Sequence, residues 1–387
     1  MKLKSALALA AWALATSTTF AQTQGVSKNE ILIGSIQDLS GPVAAYGKAI
    51  RFGMQLRVDE LNEQSGGIHG RKIKLLIEDS QYDPKKAVLA AQKLVNQDKI
   101  FAMTAHLGTT SNLAAMPIQF AKNVFNLAPI TASKAMYEPF NKLKFGTLPS
   151  YFDQMRIYLP ILVKEKGSKT VCTIYQDDDF GTEVMQGAEA GLKTIGMALA
   201  EKTTYKTGAT DFSSQVARMK AANCDLVVLG TIIRETIGTI GTSKRSGFNP
   251  VFFGSSGAYT DLIHKLGTRA MDGLYATMTV QIPYMDAASQ PIRFWAAKYQ
   301  TKFNEEPTLF SAYGYAAIDQ FIIAANKAGP NLTTDAFIKA METTTIPSDI
   351  FGSPELKYGP NKRQGADVTR LSQIVEGKWK VISDYAK

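Results

Sequence analysis

The chain has 387 residues, of which 45% are hydrophobic and 20% are charged, the ordinary composition of a globular protein with a hydrophobic core. Its formal net charge is +9, but the lysines and arginines are scattered, and no basic run with interleaved aromatic residues indicates a nucleic-acid-binding surface. Three histidines (His69, His106 and His264) lack the spacing of metal ligands, so we expect neither a metal site nor a cofactor.

The N-terminus has the pattern of a secretory signal peptide. Lys2 and Lys4 precede an apolar run over residues 6–15, and small residues lie at Thr19 and Ala21. The run is shorter than the roughly 20 residues that span a bilayer. We therefore expect residues 1–21 to be removed and the mature chain to work in the periplasm. ATP, NAD and nucleic acid are scarce there, which favours binding, transport or hydrolysis as the function.

Short apolar runs alternate with helical patterns along the whole chain. A strand is predicted at residues 31–36, followed by helical periodicity over residues 46–61, and a second strand is predicted at residues 73–77. A final hairpin is predicted from residues 371–375 and 379–382. Strands separated by helices of this length predict an α/β fold with mostly parallel sheets covered on both faces. Further short apolar runs lie at residues 101–105, 124–127, 171–175, 226–229 and 251–253.

The strand and helix pattern occurs twice, with a crossing predicted near Leu148. The two halves are not separated by a low-complexity linker, so we expect two intimately connected lobes. A ligand is expected at the carboxyl ends of the strands, where the two sheets face one another. The only cysteines, Cys172 and Cys224, are predicted near the starts of strands that could be neighbours. The sequence leaves open whether these cysteines form a disulfide or are two buried free thiols.

Three loops that follow predicted strands carry groups suited to an anion. Residues 40–47 bring Tyr46 to the start of a helix, residues 105–112 contain Gly108 and Thr109, and residues 128–133 contain Thr131 and Ser133. A helix N-terminus with free N–H groups and hydroxyl side chains can bind a carboxylate or a phosphate. Helix capping alone would explain any one of these loops, but two such loops in one lobe favour a shared carboxylate site.

Catalytic motifs are missing from the sequence. There is no Gly-x-Ser-x-Gly segment, no phosphate-binding loop ending in Lys-Ser or Lys-Thr, and no dinucleotide fingerprint after residue 36. The acids at residues 177–179 lack the spacing of a calcium loop, and we interpret them as helix caps. Their neighbour Phe180 is the better candidate for a ligand contact. A secreted hydrolase remains the alternative from another functional class.

Five segments carry a resemblance to a known family. The sequence resembles the type I leucine/isoleucine/valine-binding family of periplasmic solute-binding proteins of ABC importers. The resemblance implies two Rossmann-like lobes joined by crossover hinge segments, a ligand trapped by closure of the lobes, an inner-membrane ABC permease as partner, and a monomer. Lobe 1 would comprise residues 28–148 and 279–352, and lobe 2 would comprise residues 149–278 and 353–387. The segments are "ILIGSIQDLSGPVAAYGKAIRFGMQL", "LNEQSGGIHGRKIKLLIEDSQYDPKKAVLAAQKLV", "YQDDDFGTEVMQG", "TDFSSQVARMKAANCDLVVLG" and "SAYGYAAIDQ".

The resemblance also implies which residues bind the ligand. The carboxylate clamp of the family corresponds to Thr109 and to the loop at Ile130 and Thr131, and the aromatic wall corresponds to Tyr46 and Phe180. Weaker candidates complete the predicted site: Gly108, Ser133, Tyr151, Ser256 and Tyr313.

Two departures from the family pattern matter. Amino-acid-binding members place an acidic residue against the ligand ammonium, where this chain has Ser255 and Ser256. Burying an ammonium without an anionic partner is costly, so we expect a small aromatic or branched aliphatic acid without an α-amino group. The positions of a family disulfide are Tyr82 and Gly108 in this chain.

Alternatives to this ligand class remain open. Ser255, Ser256 and Arg234 would also suit an amino acid, an amide or a urea-like solute. The protein could instead present its bound ligand to a membrane sensor, because a sensor and a permease would both contact the closed lobes.

Overall fold

The first lobe is built on a parallel sheet of five strands in the order β2-β1-β3-β4-β5. The structure is a computed structural model that describes residues 23–387, so the predicted signal peptide lies outside the described residues. The strands are β1 (Glu30–Gln37), β2 (Lys72–Asp79), β3 (Ala102–Thr104), β4 (Phe125–Leu127) and β5 (Lys144–Phe145). The helices that connect them are α1 (Ala44–Gln64), α2 (Pro84–Gln92) and α3 (Thr109–Phe120).

The second lobe contains a second parallel arrangement of strands and helices. Its central strand β8 is wholly buried, as expected for a strand covered on both faces. The strands are β6 (Val171–Gln176), β7 (Leu199–Tyr205), β8 (Leu226–Gly230), β9 (Val251–Gly254) and β10 (Tyr275–Met278). The helices are α4 (Tyr151–Lys166), α5 (Asp179–Lys193), α6 (Ser213–Ala221), α7 (Ile233–Arg245) and α8 (Asp261–Gly267).

The C-terminal part returns to the first lobe and then to the second. Helix α10 packs along α1, and the last two strands extend the second sheet in an antiparallel sense to give the order β14-β13-β10-β9-β8-β6-β7. The predicted final hairpin is therefore confirmed. The elements are α9 (Gln290–Phe303), α10 (Leu309–Ala328), α11 (Thr334–Thr343), β11 (Thr345–Ile346), β12 (Leu356–Lys357), β13 (Arg370–Val375) and β14 (Lys378–Val381).

The two cysteines are joined by a disulfide. Strands β6 and β8 are parallel neighbours, with Cys172 opposite Val227, and Cys224 lies just before β8. The Cα atoms of Cys172 and Cys224 are 5.9 Å apart, within the usual range for a disulfide. The structure thus resolves the choice that the sequence left open.

The chain passes between the lobes three times: after β5, after β10 and before β13. Near the third crossing, Gln364 forms a parallel bridge with Gly146, and Arg363 donates to the backbone oxygen of Lys142 and to Glu342. These contacts attach the segment between β12 and β13 to the first lobe. The exact bounds of the two lobes stay a prediction. Within residues 23–387, no helix has both the length and the apolar character needed to cross a membrane.

Candidate functional site

A cavity lies between the lobes at the carboxyl ends of the strands, where the α/β pattern predicts a ligand. Nine of the ten predicted site residues line it: Tyr46, Gly108, Thr109, Ile130, Thr131, Tyr151, Phe180, Ser256 and Tyr313. The exception is Ser133, which caps a short 3-10 turn and donates a hydrogen bond of 2.7 Å to Glu183. The structure thus brings most of the predicted residues together, and their contact with a ligand stays a prediction.

One end of the cavity offers hydrogen-bond donors to an anion. Helix α3 begins at Thr109, and no side chain caps its N-terminus. The side-chain oxygens of Thr109 and Thr131 are 2.7 Å apart, and Thr109 is only 2% exposed. The first N–H groups of a helix have no partner within it, so together with the two hydroxyls they form a site suited to a carboxylate.

A buried network fixes the two loops that form this end. The Gly108 N–H donates to the Ile130 oxygen at 3.2 Å, and the Ile130 N–H donates to the His106 oxygen at 2.9 Å. The Asn112 side chain donates to the oxygens of His106 and Gly108. Burial lowers the pKa of His106 to about 3, so its imidazole is neutral and adds no charge beside the site. The donors are therefore positioned before a ligand arrives.

Aromatic rings form the apolar walls. The Tyr46 and Phe310 rings stack with centroids 3.6 Å apart, and Tyr151 meets Phe180 edge to face at 4.8 Å. Tyr313 in turn lies edge to face against Phe310. These rings provide a flat apolar enclosure next to the donor end.

Sequence reasoning missed seven lining residues. Tyr82 follows β2, and Ile232 follows β8. Ligands contact the loops at the ends of parallel strands, and this rule is the signal that indicates both residues. Leu107 and Leu148 adjoin residues that the sequence did single out. The seven are Val43, Tyr82, Leu107, Leu148, Ile232, Gly257 and Phe310.

The serines in place of the family acid belong to the second lobe. Ser256 donates its N–H to Gln154, and the Ser255 hydroxyl accepts from the Gly257 N–H. Arg234 is exposed and does not line the cavity, although the sequence offered it as a partner of a more polar ligand. It therefore contributes no charge to the walls.

A buried acid that the sequence analysis overlooked lies behind the second-lobe wall. Glu235 is 2% exposed and lies about one helical turn after Ile232, a lining residue, but it does not line the cavity itself. Within the described residues its Oε2 atom has no hydrogen-bond partner, and burial raises its pKa. Burial first and the charge of Glu235 second raise the pKa of Tyr46 and of Tyr205.

Three polar contacts close the cleft. The Glu183 carboxylate accepts from the Ser133 hydroxyl and from the Lys134 N–H at 2.7 and 2.9 Å. The Thr110 hydroxyl lies 3.4 Å from Asp178, and the Tyr46 hydroxyl lies 3.4 Å from the Gly257 oxygen. Each contact joins a first-lobe group to a second-lobe group, so hinge opening would break all three.

Because closure buries second-lobe acids, we expect ligand binding to take up protons. Burial raises the pKa of Glu183, against the opposing hydrogen bonds from Lys134 and Ser133, and burial likewise raises the pKa of Asp178. We expect hinge opening to expose both carboxyls to water, so that their pKa values fall towards the ordinary value of about 4. The closed form therefore binds more protons, so affinity is greatest at low pH and falls as the pH rises through the raised values.

Calorimetry at mildly acidic pH, in two buffers of different ionisation enthalpy, measures the protons taken up per bound ligand. Glu183→Gln should reduce this uptake, whereas Glu165→Gln, at an exposed position of α4, should leave it unchanged. Equal uptake by all three proteins, or no uptake by the unmodified protein, would contradict the coupling between closure and protonation.

Asp178 caps α5, as the sequence predicted for the acidic loop. Its carboxylate accepts from the Gly181 N–H at 3.0 Å and from the Gln176 side chain at 2.5 Å. Among residues 23–387, no group of three or more His, Cys, Asp or Glu side chains is arranged to hold a metal ion.

Comparison with known proteins identifies the family. The family model described as periplasmic binding protein matches residues 30–378. A Leu/Ile/Val-binding protein of Escherichia coli is 24% identical over 320 residues, which cover 82% of this chain and 85% of that protein.

Two solved structures share the fold. A fatty acid ABC transporter substrate-binding protein from Thermomonospora curvata is 23% identical, with a TM-score of 0.84 and coverage of 94% of each chain. A solute-binding protein from R. palustris in complex with benzoate is 17% identical, with a TM-score of 0.81 and coverage of 92% of this chain and 96% of that chain.

The cleft between two α/β lobes thus defines a solute-binding protein rather than an enzyme. The chain belongs to the periplasmic binding proteins, in the type I leucine/isoleucine/valine-binding family. Proteins of this family bind small solutes in the periplasm.

Proposed function

We propose that the protein captures a small carboxylate without an α-amino group, an aromatic or branched aliphatic acid, and delivers it to the permease. The observation that carries the proposal is the pair of hydroxyls at Thr109 and Thr131, 2.7 Å apart at the uncapped start of α3. The donors would hold the carboxylate. Tyr46 and Phe180, from opposite lobes, would enclose the apolar body as the lobes close.

The second lobe supports a ligand without an α-amino group. Ser256 lines the cavity. The family resemblance implies an acid at this position in amino-acid-binding members, so an ammonium buried here would lack an anionic partner. Two structural neighbours support a carboxylate without an amine. One is a fatty acid ABC transporter substrate-binding protein, and the other is a solute-binding protein in complex with benzoate. The relative described as a Leu/Ile/Val-binding protein supports the competing amino acid.

Calorimetry against a panel of acids and amino acids decides between these two ligand classes. We expect binding of aromatic or branched aliphatic acids, with leucine, isoleucine and valine at least tenfold weaker. Tight binding of leucine with no response to any acid that lacks an amine would refute the proposal. Glu235→Gln provides a further check, because loss of leucine binding in that variant would identify Glu235 as the missing countercharge.

The monomeric state and the site residues belong to the same proposal. The three crossings and the interlobe contacts form within a single chain, so capture needs no second copy. Light scattering of the purified protein with and without ligand should give the mass of one chain in both states. A ligand-dependent dimer would contradict this.

A further inference from the structure

A second cavity lies at the hinge, behind the ligand cavity. It touches the first crossing at Thr147 and Leu148, the second at Thr279 and Val280, and the approach to the third at Pro354. We call it the hinge cavity. Because the first two crossings and the segment that leads to the third contribute to its walls, its shape depends on the relative position of the lobes.

The hinge cavity and the ligand cavity share part of their lining. Ile130, Leu148 and Tyr313 line both cavities. Ile130 directly precedes Thr131 of the donor pair, and Tyr313 belongs to the aromatic wall. A ligand bound at the donor end therefore contacts these shared residues on one side, and the hinge cavity begins on the other side.

The far wall of the hinge cavity is largely apolar. Ala316 and Ile323 face it from α10, seven residues apart and thus on one side of the helix, and Ile346 and Leu356 close it from the β11–β12 hairpin. None of the described residues that line it is Lys, Arg or His. The walls therefore offer no partner to a second anionic group.

The acids of the hinge cavity are already engaged. Asp319 forms an ion pair with Arg57, with 2.7 Å between Oδ1 and Nε. Asp349 accepts from the N–H groups of Phe351 and Ser353 at 2.9 and 3.2 Å. Since both acids have partners inside the protein, the cavity favours an uncharged occupant. Gln320 also lines it with an Oε1 atom that has no hydrogen-bond partner within residues 23–387, so an apolar tail would lie against the side chains of Ala316, Ile323, Ile346 and Leu356.

We propose that the hinge cavity receives the apolar tail of the same ligand whose carboxylate is held at Thr109 and Thr131. The protein would then accept elongated monocarboxylic acids, with an acyl or aryl-alkyl tail that passes Tyr313 towards the hinge. This inference rests on the proposed function, because it needs the carboxylate at the donor end. A tail in this position would contact the first two crossings and stabilise the closed form.

Calorimetry with a series of acids that share one head group and differ in tail length tests the idea. Each methylene that becomes buried should strengthen binding about fourfold until the cavity is filled. Ala316→Phe, which fills the hinge cavity, should weaken a long acid at least tenfold and change a short acid less than twofold. Ala297→Phe, the same substitution at an exposed position of α9, is the matched control and should change neither.

The outcomes separate the two proposals. If no acid of any length binds, the proposed function fails. If short acids bind but affinity does not rise with tail length, or if Ala316→Phe weakens short and long acids equally, the hinge cavity is not part of the ligand site. Binding of two molecules of a long acid to each chain would also overturn the inference, because the hinge cavity would then hold an independent ligand. Should Ala316→Phe fail to fold, Ala316→Leu and the length series in the unmodified protein give the same decision.

Discussion

Thr109→Val should weaken binding of the carboxylate ligand by about 1–3 kcal/mol, the cost of leaving a buried charged acceptor without its donor. The substitution keeps the size and branching of the side chain but removes the hydroxyl that lies 2.7 Å from Thr131. Because Thr109 is the first residue of α3, its backbone N–H remains available. The loss should therefore be partial, and calorimetry of the purified variant measures it.

Thr109→Ser is the matched control for this prediction. It retains the hydroxyl and removes only the methyl group, so affinity should stay within a few-fold of the unmodified protein. Thermal unfolding of both variants checks that the first lobe is intact. An unchanged affinity in Thr109→Val would remove Thr109 from the ligand site, whereas equal losses in both variants would point to packing rather than to the hydroxyl.

The parallel strands could be predicted because their sequences are buried on both faces. β1 and β8 are almost continuous apolar runs, and the structure places them where the sequence predicted. By contrast, β7 alternates exposed residues with half-buried or buried ones at the edge of its sheet, and β5 has only two residues. Neither strand has an apolar run long enough to distinguish it from a loop, so both were missed.

The donor end of the site could also be predicted, for a related reason. Gly-Thr-Thr after an apolar run marks a strand end followed by a helix start, and that pattern gave Thr109 directly. Glu235 had no such signal, because a glutamate in the first turn of a helix is an ordinary favourable residue. Only the packing of α7 shows that this carboxyl is buried.

The hinge cavity could not be predicted at all. Its walls come from segments far apart in the sequence, among them the end of β5, the helix α10 and the β11–β12 hairpin. Each of these residues has an ordinary place in a helix, turn or strand end. Their convergence depends on how the three crossings are arranged, which is a property of the tertiary fold rather than of any local pattern.

Gly108→Ala should destabilise the first lobe and weaken ligand binding together. Gly108 precedes α3 with a φ of 92° and a ψ of 145°, a sparsely populated backbone conformation that costs an alanine about 1–3 kcal/mol. A Cβ atom added there would lie 2.7 Å from the Cε2 atom of Tyr82, and overpacking of this kind costs about 1–3 kcal/mol more. The strain falls on the residue that orients the first N–H groups of α3. Chemical denaturation should show the loss of stability, and calorimetry should show the loss of affinity.

Two further variants separate the backbone cost from the contact with Tyr82. Gly208→Ala has a similar φ of 85° but no heavy atom within 4 Å of the added Cβ, so it should show only the backbone cost and bind ligand normally. The double variant Gly108→Ala/Tyr82→Ala removes the contact, so its loss of stability should be smaller than the sum of the two single losses. If Gly108→Ala were no less stable than Gly208→Ala and bound ligand equally well, Tyr82 would not confine the α3 N-terminus. The donor end would then owe its geometry to the Asn112 network alone.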